Sequence, residues 1–151
     1  MKKYVYLLLF VFVVTNSHAK EQKLEKFGHG TVVFPKQNLS MDVEIARTKV
    51  QRALGLMHRT YLTAESGMLF VFEQNGIQRI WMKSTLIPLD ILFVSTQGRI
   101  VSMIKNLQPC RRAPCNIYGS IESAKYMLEV NAGIIDGKQI EIGQKLKILI
   151  P

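Results

Sequence analysis

Apolar and polar residues alternate along the stretch LSMDVEIA, residues 39–46. Successive side chains of a strand point to opposite faces, so this pattern predicts a strand with one buried and one exposed face. Thr48 then stands three residues before Gln51, which is the spacing of a capping box at the start of a helix. We expect this helix to be short, to direct Val50, Ala53, Leu54 and Met57 inward and to end near Gly55.

The middle of the chain contains two strong turn signals between apolar runs. The sequence predicts one hairpin across residues 67–83, turning at Asn75-Gly76, and a second across residues 89–107, turning at Gly98. The first strand of the second hairpin is apolar on both faces, so we expect it to be central in its sheet.

The last third of the chain predicts a helical turn near residues 121–124 and strands at 126–130 and 145–150. Short strands joined mostly by tight turns indicate a mainly β protein. We therefore predict a compact β-sandwich or barrel-like domain of about seven to eight short strands with one or two short helices.

The amino terminus has the three-part layout of a secretory signal peptide. Two lysines precede an apolar run over residues 4–14, and a short polar segment ends at Ala19. A spanning helix needs about 20 apolar residues, so cleavage after Ala19 is favoured over an uncleaved anchor, and no later run is long enough to span. We expect residues 1–19 to be a signal peptide, 20–28 a flexible lead-in and 29–151 a single β-rich domain in the periplasm or outside the cell.

The chain is basic, with 20 Lys and Arg against 11 Asp and Glu. Cleavage would remove Lys2 and Lys3 and leave a net charge of 18 − 11 = +7. A basic exported domain can lie near anionic envelope polymers, although its scattered cations are also typical of a solvated surface. Without a basic helix or an aromatic platform for single strands, nucleic-acid binding is not expected. The composition indicates no particular oligomeric state.

Lys83 and Asp90 are the charged residues of the otherwise apolar stretch WMKSTLIPLDILFV, residues 81–94. Strand alternation places Arg79, Trp81 and Lys83 on one face. One interpretation is a buried Lys83–Asp90 ion pair with Trp81 in the core. The other is a polar pocket for a small molecule or glycan, with Trp81 as its floor. The ligand-binding candidates are then Arg52, Arg79, Trp81, Lys83, Asp90 and Tyr118.

The motifs of common catalytic sites are missing from the sequence. His29 and His58 lie far apart with no further ligand at metal-binding spacing, so neither a metal nor a cofactor is expected. There is no Gly-x-Ser-x-Gly elbow and no glycine-rich phosphate loop. Asp90 with Glu73 or Glu129 is a conceivable pair of carboxylates, but no spacing selects either.

Non-catalytic ligand binding is therefore the leading interpretation, and two alternatives stay open. One is an envelope enzyme of hydrolase type that uses Asp90 as acid or base with Lys83 or Arg52 for charge stabilisation. The other is a structural or interaction protein, which would show an exposed apolar patch in place of a pocket.

Cys110 and Cys115 are the only cysteines, and they lie in a loop with Pro and Arg. An exported chain meets oxidising conditions, so a structural disulfide is the first interpretation. The alternative is a redox-active pair whose thiol pKa is lowered by Arg111 and Arg112.

Several blocks together resemble the bacterial and archaeal family called domain of unknown function 192. They are RALGLMHRTYL (52–62), GMLFVFE (67–73), IWMKSTLIPLDILFV (80–94), GRIVSMIKNLQP (98–109), PCNIYGS (114–120) and YMLEVNAG (126–133). The resemblance covers roughly residues 30–150 and implies a compact, mostly β domain, without supplying a reaction. The family pattern commonly has an aromatic at His58, Asn at Ser84 and Asp at Gln144.

Overall fold

A computed structural model describes residues 26–151. The predicted signal peptide and most of the predicted lead-in lie outside these residues. The strands are β1 (Gly28–Phe34), β2 (Leu39–Ala46), β3 (Ser66–Gly76), β4 (Arg79–Trp81), β5 (Leu89–Val94), β6 (Ile100–Leu107), β7 (Ile117–Gly119), β8 (Ala124–Asn131) and β9 (Lys147–Leu149). The helices are α1 (Lys49–Leu54), α2 (Ile134–Gly137) and a 3-10 turn (Pro35–Gln37).

Seven strands form one mixed sheet in the order β6-β5-β8-β3-β2-β1-β9, and β4 and β7 form a separate ribbon. Only the β2–β3 pairing in this sheet is parallel. The mainly β class with two short α-helices is confirmed. Residues 26–151 contain nine strands, and the sheet stays open instead of closing into a barrel.

Each face of the sheet carries its own apolar core. Leu92 and Leu128 belong to the core on the α2 side, whereas Phe93 and Met127 belong to the core under α1 and the ribbon. Adjacent residues of one strand thus serve opposite faces, as the period of two requires. Because β5 has both cores against it, all six of its residues are buried.

The second predicted hairpin is confirmed and the first is wrong. Strands β5 and β6 pair across the turn at Gly98, whose φ of 76° suits glycine. The strand β3, however, continues through Asn75 to Gly76, and β4 pairs with β7. Strands β2 and β8 flank β3 over residues 67–70, so this part of β3 has no free edge for another strand.

The predicted capping box of α1 is present. The Gln51 amide donates to the Thr48 hydroxyl, and the Thr48 amide donates to the Gln51 side-chain oxygen. The expected inward direction is wrong for Val50, which is 66% exposed, and for Ala53, which is also exposed, whereas Leu54 and Met57 are half-buried. The helical turn expected at residues 121–124 is also missing, because β8 already begins at Ala124.

Candidate functional site

A cleft of about 310 Å³ opens between α1, the β4–β7 ribbon and the face of the large sheet. The helix and the turn after it contribute one wall, and the ribbon contributes the other. The floor comes from β3 and β8. The lining residues are Arg52, Ala53, Leu54, Gly55, Leu56, Met57, Phe70, Phe72, Arg79, Ile80, Trp81, Thr85, Ile117, Met127 and Glu129.

Glu129 is an acidic residue in the middle of the sheet. It lies on β8 between Met68 of β3 and Ile91 of β5, and its side chain points to the same face as Met127. Only 4% of the residue is exposed. Burial raises the pKa of the Glu129 carboxyl from its ordinary 4.5 to about 8. At neutral pH the group is therefore mostly protonated and can donate a hydrogen bond as well as accept one.

Six polar or charged residues of the described chain are buried: Gln51, Thr85, Asp90, Ser102, Ser120 and Glu129. Four of these side chains make hydrogen bonds within residues 26–151. The side chains of Thr85 and Glu129 make none there, and both line the cleft. Every fully enclosed polar side-chain atom of the described residues has a hydrogen-bond partner. The polar atoms of Thr85 and Glu129 have none, so they are not fully enclosed, and they face the cleft that both residues line.

Arg52 is held in the cleft wall by three acceptors. Its guanidinium donates to the Val71 carbonyl at 3.2 Å, to the Glu73 carboxylate at 3.3 Å and to the Arg47 carbonyl. It also lies 5.7 Å from the centre of the Phe72 ring. Most of its bonding capacity and charge are therefore already used by the protein.

The ribbon directs three side chains outward from β4 and its continuation. As predicted, Arg79, Trp81 and Lys83 alternate with buried residues. Trp81 is 45% exposed and pairs across the ribbon with Ile117, another residue of the cleft. The Lys83 Nζ lies 5.3 Å from the centre of the Trp81 ring. Within residues 26–151, neither Arg79 nor Lys83 has an acidic partner.

Asp90 lies on the opposite face of the sheet from Glu129. Strand alternation places it beside Leu92, in the core on the α2 side, and it is 1% exposed. Its two carboxylate oxygens accept the backbone amides of Asn106 and Ile135, each at 2.8 Å. The predicted contact between Lys83 and Asp90 is therefore wrong. Through these two hydrogen bonds, Asp90 links the end of β6 and α2 to β5.

The predicted disulfide is present between Cys110 and Cys115, whose Cα atoms are 5.7 Å apart. The Cys110 amide donates to the Met82 carbonyl at 3.1 Å, which places the disulfide loop beside Lys83. Among the described residues, no acidic, histidine and cysteine side chains gather in a group of three that could hold a metal ion. The described helices are all too short or too polar to cross a membrane.

The comparisons with known proteins agree with this architecture. The model of the family DUF192, described as an uncharacterized ACR, matches residues 31–148. The chain belongs to the DUF192 family. A crystal structure from Sinorhizobium meliloti 1021, described as a candidate transcription regulator, is similar to this DUF192 domain with 31% identity and a TM-score of 0.75. That match covers 82% of this chain and 96% of the other.

A second similar structure is a protein of unknown function from Novosphingobium aromaticivorans DSM 12444. It shares 31% identity with this DUF192 domain at a TM-score of 0.71, over 79% of this chain and 83% of the other. The comparison with curated proteins gives no match.

The structure brings together three of the six predicted ligand-binding residues of this DUF192 domain. Arg52, Arg79 and Trp81 line the cleft, and Lys83 lies outside the lining with its Nζ beside the Trp81 ring. Tyr118 pairs with Ile80 and packs, half-buried, against the core under the ribbon, outside the cleft lining. Asp90 is separated from the others by the sheet.

Sequence reasoning gave no particular weight to Thr85 and Glu129. The signal for Glu129 was present, because YMLEV places one carboxylate in an apolar strand, as LDILFV does at Asp90. The two carboxylates look equivalent in sequence. Only the structure shows that Asp90 accepts two hydrogen bonds from the backbone, whereas Glu129 faces the cleft.

Proposed function

We propose that this DUF192 domain binds a small ligand, without catalysis, in the cleft between α1 and the ribbon. The observation that carries the proposal is the pair Thr85 and Glu129. Both are buried polar side chains that lack partners within residues 26–151, and both open onto the same cavity. Since every fully enclosed polar side-chain atom of the described residues already has a partner, the polar atoms of these two residues are accessible from the cleft and can bond to a ligand there.

The remaining lining is suited to holding the body of such a ligand. Phe70, Phe72 and Met127 supply apolar contact area, and Trp81 supplies a half-exposed aromatic surface. Small-molecule sites are typically apolar cavities with a few well-placed polar groups, and their volumes range from roughly 300 to 1,000 Å³. The cleft has this character and lies at the small end of the range.

Glu129 also supports a second candidate function, that of a hydrolase. A carboxyl whose pKa is raised to about 8 is still protonated at neutral pH and could act as a general acid. The predicted catalytic residue Asp90 is on the other face of the sheet, so Glu129 would have to take this role. Turnover that Glu129→Gln abolishes while binding persists would replace the binding proposal with this one.

The site is tested by screening fragments against the purified protein through Trp81 emission and thermal unfolding. Trp81 is the only tryptophan, so its emission reports on the cleft wall. We expect a ligand that shifts both signals, since a ligand stabilises the state that it binds. Thr85→Val and Glu129→Leu should weaken binding, whereas the exposed Glu122→Gln should leave it unchanged.

Two results would overturn the binding proposal. One is a screen in which no fragment shifts either signal. The other is binding that persists unchanged in the double variant Thr85→Val, Glu129→Leu, whose fold is checked by circular dichroism. A short DNA duplex that alone stabilises the protein would instead favour the regulator role by which the Sinorhizobium protein is described.

We further propose that the chain is exported and that the mature protein begins at Lys20. The apolar run over residues 4–14 and the small residue at Ala19 support this proposal. Mass spectrometry of the protein from expressing cells should give the mass of residues 20–151. Recovery of the intact amino terminus would contradict it.

A further inference from the structure

The mouth of the cleft carries positive charge that the protein does not neutralise. Residues 26–151 contain four ion pairs, and one of them joins Arg52, the cation in the cleft wall, to Glu73. Arg79 and Lys83, on either side of Trp81 along the strand, take part in none. Neither side chain has a hydrogen bond within the described residues, so the charge of both remains available to attract a bound anion.

The floor of the cleft does not offset this charge. Among residues 26–151, Glu129 is the one acidic residue in the lining, and at neutral pH it is mostly protonated, because burial raises its pKa to about 8. The Arg79 guanidinium and the Lys83 ammonium then make the electrostatic potential at the mouth positive, which favours the binding of anions over cations. A cationic ligand would meet Arg79 on entry.

The shape and the polar groups of the cleft limit the ligand further. Trp81 is 45% exposed and presents a flat aromatic surface at the mouth. Deeper in the cavity, the Thr85 hydroxyl and the Glu129 carboxyl each offer both a donor and an acceptor, which matches the hydroxyl groups of a ligand. A volume of about 310 Å³ holds one or two six-membered rings.

We infer that the ligand is a hydroxylated ring that carries one anionic group, as in a sugar acid. The ring packs on Trp81, the anionic group contacts Arg79 in the lining and is attracted by the nearby Lys83 ammonium, and ring hydroxyls bond to Thr85 and Glu129. This inference rests on the proposed binding function and names the chemical class of its ligand.

Three pyranoses that share one ring and differ in charge test the inference: glucuronate, glucose and glucosamine. Their affinities are measured at neutral pH by titration of Trp81 emission and by calorimetry. We expect glucuronate to bind about five-fold or more tightly than glucose, and glucosamine to bind most weakly. Added salt should weaken glucuronate binding and leave glucose binding nearly unchanged.

Charge-removing variants locate the anion. Arg79→Gln and Lys83→Gln should each lower the affinity for glucuronate about five-fold and hardly alter the affinity for glucose. Lys147→Gln removes the same charge from the exposed face of β9, at the far edge of the sheet, and should have no effect. Loss of affinity in the Lys147 variant equal to that in the other two would show a general charge effect and overturn the inference.

The outcomes separate this inference from the proposed function. If fragments bind in a manner that depends on Glu129 but glucuronate does not exceed glucose and glucosamine, the binding function stands and the ligand class is wrong. If glucuronate binds but Arg79→Gln and Lys83→Gln leave its affinity unchanged, the ligand class is again wrong for this cleft. If neither fragments nor pyranoses bind, both proposals fail.

Discussion

Replacing Glu129 with glutamine should make the protein more stable at alkaline pH and change little at acidic pH. Glutamine has nearly the size of a protonated glutamate and cannot ionise. In the native protein, burial raises the pKa of Glu129 from 4.5 to about 8. Between these two values the folded chain holds a proton that the unfolded chain releases, so the stability of the native protein falls as the pH rises.

The size of the effect follows from the two pKa values. Below about pH 4.5 the carboxyl is protonated in both states and costs nothing, and above about pH 8 it is ionised in both states. The difference between 4.5 and about 8, at about 1.4 kcal/mol for each pKa unit, corresponds to a total of about 5 kcal/mol. Glu129→Gln should therefore stabilise by about 1 kcal/mol at pH 5 and by about 4 kcal/mol at pH 8.

Urea denaturation followed by Trp81 emission, repeated from about pH 5 to about pH 9, measures this difference directly. Other titrating groups are common to both proteins and cancel in the comparison. The exposed Glu122→Gln is the matched control and should give a curve parallel to that of the native protein. If the curve of Glu129→Gln is also parallel, or if the Glu129 carboxyl titrates near 4.5 by carbon-13 NMR, the assignment of a buried, protonated carboxyl is refuted.

Three further predictions concern residues outside the cleft lining. Asp90→Ala should lower the free energy of unfolding by about 3 to 5 kcal/mol in urea denaturation, because two buried amides lose a charged acceptor. Lys83→Met should lower it by under about 1 kcal/mol. Strong coupling between the two changes in a double-mutant cycle would contradict the separation of Lys83 and Asp90 in the structure. Replacing Cys110 and Cys115 with serine should cost about 2 kcal/mol, and two free thiols in the folded, non-reduced protein would rule out the disulfide. Ser84 has a φ of 55°, in the left-handed region that asparagine adopts more readily than serine, so Ser84→Asn should raise the free energy of unfolding by about 0.5 kcal/mol. A lower melting temperature for this variant would contradict the prediction.

The features that sequence alone determined are those that depend on near neighbours. The alternation in residues 39–46 defines which side chains of β2 are buried, because the period of a strand is a property of its backbone. Thr48 and Gln51 determine where α1 begins, because the cap is made by residues three positions apart. The disulfide joins residues five positions apart, and the family resemblance rests on ordered local blocks.

Pairing of distant strands and the environment of each buried charge were decided by the tertiary structure. A strand-like segment such as residues 77–83 carries no information about which strand it will pair with, so the ribbon of β4 with β7 could not be predicted from the turn signal at Asn75-Gly76. Asp90 and Glu129 have similar surroundings in sequence, yet the backbone amides of Asn106 and Ile135 reach only the first. The cleft depends on α1 and the ribbon lying over one face of the sheet, and the pKa of Glu129 is raised because chain segments distant in sequence exclude water from it.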